Sequence, residues 1–198
     1  FGQKMGDMSM TDMMVAALSD PFGGGHMGVT AENVADEYQI SRDVQDTFAA
    51  ESQRRASVAI NEGRFKSQIL PIEVRVRRDM VPFDTDEHPK SSTTAESLGK
   101  LRPAFRKEGS VTAGNASGLN DGAAAMVLAS ADAAEKAGLK PRARLLGYAH
   151  AGVRPEVMGI GPVPAVTTLL KKLGMSTGDF DVIESNEAFA AQACAVNK

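Results

Sequence analysis

Residues Asp181 to Gln192 read DVIESNEAFAAQ: a short apolar segment runs through Ser185 and Asn186 directly into an Ala-rich, helix-prone stretch. A strand that feeds a helix with no loop between them is one step of an alternating α/β pattern. Working back from it, Pro164 suits the first turn of a helix with Ala165, Val166, Leu169, Leu170 and Leu173 as its inner stripe, and Gly174 stops it. Arg142 to Ala151 reads as a strand. Asp132-Ala-Ala-Glu135 has the form of a capping box for a short helix ending near Gly138, and Pro141 prevents its continuation. Ala123 to Ala129 is an apolar run that reads as a buried strand or helix. The second half thus alternates strand and helix, and the expected fold class is α/β.

The first half is less regular. Residues 1–30 hold six of the ten methionines and the glycines Gly23, Gly24 and Gly25, and read as irregular chain around a short helix at about 10–18. Thr30 can cap a helix beginning at Ala31. Ser41 can cap a longer one over Arg42 to Asn61, stopped by Gly63. Its inner face is expected to be Val44, Phe48, Ser52, Ala56 and Ala59 or Ile60, with Arg42, Asp46, Arg54 and Arg55 on a solvated face. Alternation of Ile72, Val74 and Val76 with charged neighbours predicts a half-exposed strand after Pro71. Residues 77–100 lack a sustained period and read as a long functional or mobile excursion.

Composition narrows the function. With 198 residues, 42% hydrophobic and 24% charged, the chain is globular, and charge interrupts every apolar stretch too often for a membrane span. A net charge of −3 without a basic run offers a phosphate backbone no electrostatic footprint, so nucleic acid is not an expected partner. The single cysteine, Cys194, excludes an intrachain disulfide framework and any metal site built from several cysteines of one chain. His26, His88 and His150 stand far apart, so no metal site is expected. Phosphate-loop, dinucleotide, zinc-protease and nucleophile-elbow motifs are missing from the sequence. No targeting segment is read at the start, which makes the cytoplasm the expected compartment. The last stretch, Glu187 to Lys198, ends without a stop signal and reads as a cut inside a longer protein, a natural C-terminus being the alternative.

Three segments can carry chemistry. Gly23 to Glu32 (GGGHMGVTAE) presents His26 and Met27 beside a bare backbone, which suits either the wall of a flexible ligand or a Gly-rich connector with a core Met. Val111 to Gly122 (VTAGNASGLNDG) can lie flat against a ligand and offer the Ser117 hydroxyl, or be a structural turn. Asn186, where the last helix is expected to begin, can cap that helix or orient a water towards a developing anion. Cys194 reads as a small buried hydrophobe, with nothing near it to lower its pKa.

Taken together and in this order, these segments resemble the middle of a thiolase. The motifs are KMGD near the start, HMGVTAENVA at 26–35, ISRDVQD at 40–46, LRPAF at 101–105, VTAGNASGLNDGAAA at 111–125, VMGIGPVP at 157–164 and NEAFAAQ at 186–192. His26 before Met27, and NEAFAAQ, look closer to the biosynthetic, acetoacetyl-CoA-forming acetyltransferase branch than to the degradative long-chain branch. The resemblance implies a layered αβαβα thiolase fold, here incomplete, with an inserted α+β loop domain. On that reading residues 1–119 are the CoA-covering loop domain, 120–140 the end of the N-terminal core half, and 141–198 the start of the C-terminal half.

The implied reaction is a two-step acyl transfer. A nucleophilic cysteine takes an acetyl group from acetyl-CoA; a second cysteine deprotonates another acetyl-CoA, whose enolate attacks to give acetoacetyl-CoA and CoA. By resemblance, Asn186 holds a water of the enolate's oxyanion hole. His26, Met27, Phe105, Ala113, Ser117 and Phe189 match positions lining the pantetheine tunnel, and Ser97 and Leu101 match positions near the nucleotide, where family members often carry an Arg and this chain has Lys90. The CoA thioester is the substrate and no metal or prosthetic group is implied. A homo-oligomer, dimer or tetramer, is the usual family state. The family's nucleophilic cysteine, GHP histidine and CxG cysteine are not in these 198 residues, and Cys194 matches neither cysteine, so the chain alone is expected to be inactive. The alternatives are a degradative 3-oxoacyl-CoA thiolase and a non-catalytic CoA- or lipid-binding module of the same fold. Strands in 120–198 without their neighbours are expected to leave unpaired edges and bare apolar faces.

Overall fold

A computed structural model describes residues 4–198; residues 1–3 of the irregular opening lie outside the described residues. Helix α1 (Met13–Ala17), capped by Asp12, leads into the two-residue strands β1 (Ser19–Asp20) and β2 (Gly25–His26), which pair antiparallel. Helix α2 (Met27–Glu37) follows at once and α3 (Arg42–Asn61) after a short turn. Strands β3 (Ile72–Val76) and β4 (Asp79–Phe83) form a hairpin. Then come α4 (Ala95–Gly99), α5 (Ala131–Lys136), a 3₁₀ segment at Pro155–Ile160, α6 (Pro162–Leu173) and α7 (Ala190–Asn197).

The core is assembled from distant stretches. Ala31, Val34 and Ala35 of α2 meet Ile40, Val111, Val157, Ile160, Ala191 and Ala195 in one buried cluster. Small residues on α7 let it lie close to α2, and Gly159 passes against Gln192 where a Cβ would not fit.

Several expectations hold. Helix α3 has the predicted span, Ser41 accepts from the Val44 amide, and Gly63 adopts φ +69° beyond its end. β3 begins after Pro71 as read, although its residues are mostly exposed rather than half-buried. α6 ends at a left-handed Gly174.

Others are corrected. α2 begins at Met27, a turn before Thr30, because the His26 side chain supplies the cap; the Thr30 hydroxyl donates instead to the Met27 carbonyl. On α3 Arg54 and Arg55 are exposed and Ala59 is buried as read, but the first turns depart from the reading. Val44 is 48% exposed, whereas Asp46 is buried, since the neighbours of this face are backbone groups that need charged and amide partners rather than methyls. The excursion at 77–100 contains β4 and α4. Ser130, not Asp132, caps α5. α6 starts at Pro162, and none of its residues is buried, including the stripe from Ala165 to Leu173.

The largest correction concerns the buried strand or helix expected at 123–129 and the strands expected at 142–151 and 181–185. All three are irregular and largely exposed, as at Val127 (91%) and Val182 (74%). Among the described residues the ladders are the two hairpins and an isolated bridge, so these segments find no partner for their backbone groups, and a lone strand is not a stable structure. Met126, Leu128, Leu145, Leu146 and Ile183 join them as exposed apolar side chains. The 198-residue chain is therefore expected to self-associate at micromolar concentration and to bind a hydrophobic dye, which sedimentation velocity and dye fluorescence would register; a dye-negative monomer with one sharp melting transition is the contrary outcome.

Candidate functional site

The start of α2 sets the first wall. His26 Nδ1 accepts from the Gly28 amide at 3.0 Å, which leaves the ring proton on Nε2 and fixes the imidazole. That ring stacks on Phe105, centroids 4.9 Å apart and planes 25° apart. Phe105 in turn meets the ring of Phe189 edge-on at 6.2 Å and 81°. Stacked and edge-to-face rings at these separations are favourable geometries. Three of the candidate tunnel residues, from three separate segments, thus form one aromatic row, with Met27 half-buried beside it at the first position of α2. Gly28 makes this possible, because a Cβ there would occupy the space of the Phe105 ring. Gly28→Ala is expected to displace the ring and destabilise by about 1–3 kcal/mol, read from the urea midpoint of the full-length protein.

The second wall is the loop at 111–117. Glu32, 1% exposed, accepts from the Ser110 and Val111 amides and the Ser110 hydroxyl at 2.8–3.0 Å. Asn115 accepts from the Thr112 amide at 2.8 Å and donates to Asp46 at 2.9 Å and the Ser110 carbonyl at 3.1 Å. The loop is thereby pinned to α2 and α3, with Ala113 and Ser117 on its exposed side. It also seizes the segment before α7: Ala116 bridges Phe189, the Ser117 amide donates to the Ala188 carbonyl, and the Ala190 amide donates to the Asn115 carbonyl.

Asn186 lies in that segment, exposed, three residues ahead of the Phe189 N-cap. It does not begin or cap the helix, as the sequence suggested, because the bridge to Ala116 holds the chain extended until Phe189. Its neighbour Glu187 accepts from the Ser52 hydroxyl of α3 at 2.6 Å. A cleft of about 250 Å³ opens here, lined by Ser52, Gln53, His88, Gly114, Ser117 and Glu187 among others.

Ser97 and Leu101 are not part of the aromatic row. Ser97 is exposed on α4, its hydroxyl and amide committed to a capping box with Thr94. Leu101 is exposed beyond α4 and packs towards Gly114. Lys90 is exposed, and its amide donates to Gln53 Oε1.

Cys194 is half-buried in a wider cleft of about 500 Å³ between α3 and α7 that also holds Asp43, Glu51 and Glu187. Burial, and then the Glu187 carboxylate, push its thiol pKa up, the opposite of what a nucleophile needs. Its alkylation rate is expected to rise with pH to a midpoint above that of a free thiol, which a pH series with iodoacetamide would measure; a midpoint near neutrality is the contrary result.

The residues that sequence reasoning missed are the buried polar ones: Glu32, Gln45, Asp46 and Asn115. One signal existed for Glu32, whose helical spacing puts it on the same face as Gly28, Ala31 and Ala35. For Asp46 the i,i+4 spacing from Arg42 looked like an ordinary surface pair. Among the described residues no cluster of His, Cys, Asp or Glu is arranged to hold a metal ion, and no helix is long and apolar enough to cross a membrane.

Residues 1–132 match the family description "Thiolase, N-terminal domain" and residues 139–198 "Thiolase, C-terminal domain". A beta-ketothiolase of Cupriavidus necator is 59% identical over all of this chain and 50% of its own length. The crystal structure of the Bacillus anthracis acetyl-CoA acetyltransferase superposes with a TM-score of 0.89 at 50% identity, over 100% of this chain and 50% of that one. The human mitochondrial 3-ketoacyl-CoA thiolase in complex with CoA gives 0.87 at 45%, over 100% and 49%. The chain spans about half the length of the curated relatives it matches.

Proposed function

The chain belongs to the thiolase family and has its fold, and from that premise we propose that the intact protein transfers an acetyl group between two acetyl-CoA molecules, giving acetoacetyl-CoA and CoA reversibly. The observation that carries this reading is the convergence of His26, Phe105 and Phe189 in one aromatic row beside the pinned loop of Ala113 and Ser117. An aromatic row beside a pinned loop suits a long, flexible thioester arm, which needs shape and a few polar anchors rather than charge. Asn186, held close to that loop, orients the water that stabilises the enolate oxygen. Ser97 and Leu101 lie on the nucleotide side, with Lys90 there as a cation for phosphate. The nucleophile, the histidine and the second cysteine come from outside these 198 residues. The CoA thioester is the substrate, and no metal or prosthetic group takes part.

Further parts of the reading concern setting. The division at 1–119, 120–140 and 141–198 separates a CoA-covering unit from two core halves. The assembled protein is cytoplasmic and a dimer or tetramer, which sedimentation of the full-length protein would measure.

The test is thiolysis of acetoacetyl-CoA by CoA. The full-length protein is expected to turn over and the 198-residue chain to show none; activity of the chain above background would overturn the assignment of the missing groups. A second reading, a degradative 3-oxoacyl-CoA thiolase, is favoured by the similarity to the human mitochondrial 3-ketoacyl-CoA thiolase. Comparing kcat/KM on short, medium and long oxoacyl-CoA separates the two, since the acetyltransferase reading requires a preference for the shortest. A full-length protein that binds CoA without turnover would instead support a non-catalytic module.

A further inference from the structure

The second wall of the candidate site and the segment before α7 are tied to one polar chain that starts on α3. Arg42 Nε donates to Asp46 Oδ2 at 2.6 Å, and Asn115 Nδ2 donates to Asp46 Oδ1 at 2.9 Å. Asp46 is 3% exposed and Asn115 likewise 3%. From Arg42 the chain extends outward, its Nη2 donating to the Leu98 and Leu101 carbonyls at 2.6 and 3.1 Å. From Asn115 it extends the other way, its carbonyl accepting from the Ala190 amide at 2.8 Å.

A carboxylate with each oxygen committed to a different donor has little freedom to move, and low local dielectric strengthens both bonds. The segment at 97–101, the loop at 111–117 and the segment at 186–190 are therefore referenced to the same two oxygens. We propose that Arg42, Asp46 and Asn115 are positioning residues for the reaction, setting the distance between the loop that holds the thioester arm and the segment that presents Asn186. They touch no reacting atom. Their effect passes through the Asn115 carbonyl to Ala190, and a displacement there carries Asn186 with it. This inference rests on the acyl-transfer reading above.

The experiment is Asp46→Asn in the full-length protein. An amide offers one oxygen to two donors, so either Arg42 or Asn115 loses its acceptor. Misplacing a group by about 1 Å can cost up to about 10²-fold, so the expected kcat loss is about 10- to 100-fold, with KM for the CoA substrate within roughly threefold. Hydrogen exchange at the Ala190 and Ser117 amides is expected to quicken about tenfold or more, while the Val111 amide, held by Glu32, keeps its protection. The exchanged pair Asp46→Asn with Asn115→Asp restores a carboxylate to the contact but sets an oxygen against the Ser110 carbonyl, so a partial recovery of both readouts, above the single variant, is expected.

A lower Tm with kcat unchanged well below it, and exchange raised equally at all three amides, would show a merely structural role and overturn the proposal. Should Asp46→Asn fail to fold, Arg42→Lys decides: it keeps a cation beside Asp46 but cannot span to both the Leu98 and Leu101 carbonyls, so a kcat loss of about tenfold or more with KM held supports the proposal and a wild-type kcat overturns it. A full-length wild type without thiolysis removes the acyl-transfer reading and, with it, the kinetic arm; the exchange at Ala190 and Ser117 then decides on its own whether Asp46 holds the register.

Discussion

Asn186→Ala in the full-length protein is expected to lower kcat by about 10²–10³-fold while KM changes little, the size of effect seen when one donor of an oxyanion site is lost. The argument runs from backbone to chemistry. The Ser117 amide holds the Ala188 carbonyl, Ser52 holds Glu187, and Asn186 is the next residue, exposed and directed by two anchors rather than by a helix. A side chain so placed contributes most where charge develops and little to ground-state binding, so the loss belongs in kcat. Asn186→Asp sharpens the test, since it keeps the shape and sets an anion against an anion. A kcat within a few-fold of wild type for both variants would remove Asn186 from the mechanism.

Glu32→Ala is expected to produce the largest loss of stability, about 3 kcal/mol or more. Bonds to a charged acceptor contribute roughly 1.5–3 kcal/mol each, and here two backbone amides lose their partner in a buried setting. The loop would then lose its anchor on α2, and the Val111 side chain its fixed place in the core. Glu32→Gln retains one acceptor oxygen and should fall between. Urea unfolding of the full-length variants measures the loss, and exchange at the Ser110 and Val111 amides localises it. A Glu32→Ala protein within about 1 kcal/mol of wild type would mean that water replaces the carboxylate.

What was legible in the sequence divides by the range of the interactions involved. α3 could be read end to end because its signals are local: a serine cap, a 20-residue periodic body and a glycine stop. β3 could be read because Pro71 and alternation frame it. The family, and with it the fold, could be read from ordered motifs such as VTAGNAS and NEAFAAQ. The segments at 142–151 and 181–185 read as strands, and 123–129 as a buried strand or helix, yet a strand exists only with a partner, and partnership is not written in the segment itself. The first turns of α3 were misread for a related reason. Arg42 and Asp46 look solvated until the carbonyls of Leu98 and Leu101 and the amide of Asn115 are brought in from more than fifty residues away. Asn186 was placed at a helix start because the bridge between Ala116 and Phe189 is equally non-local.

The composition of the core has a consequence for synthesis. Val34 precedes Ala191 and Ala195 by 157 and 161 residues, yet they belong to one cluster. At about 5–20 residues per second the ribosome needs roughly 10–30 s to pass from one to the other, and α2 cannot complete the burial of its inner face before α7 has emerged. Through that interval the nascent chain carries a helix whose apolar face is only partly covered, which makes it a client for chaperones.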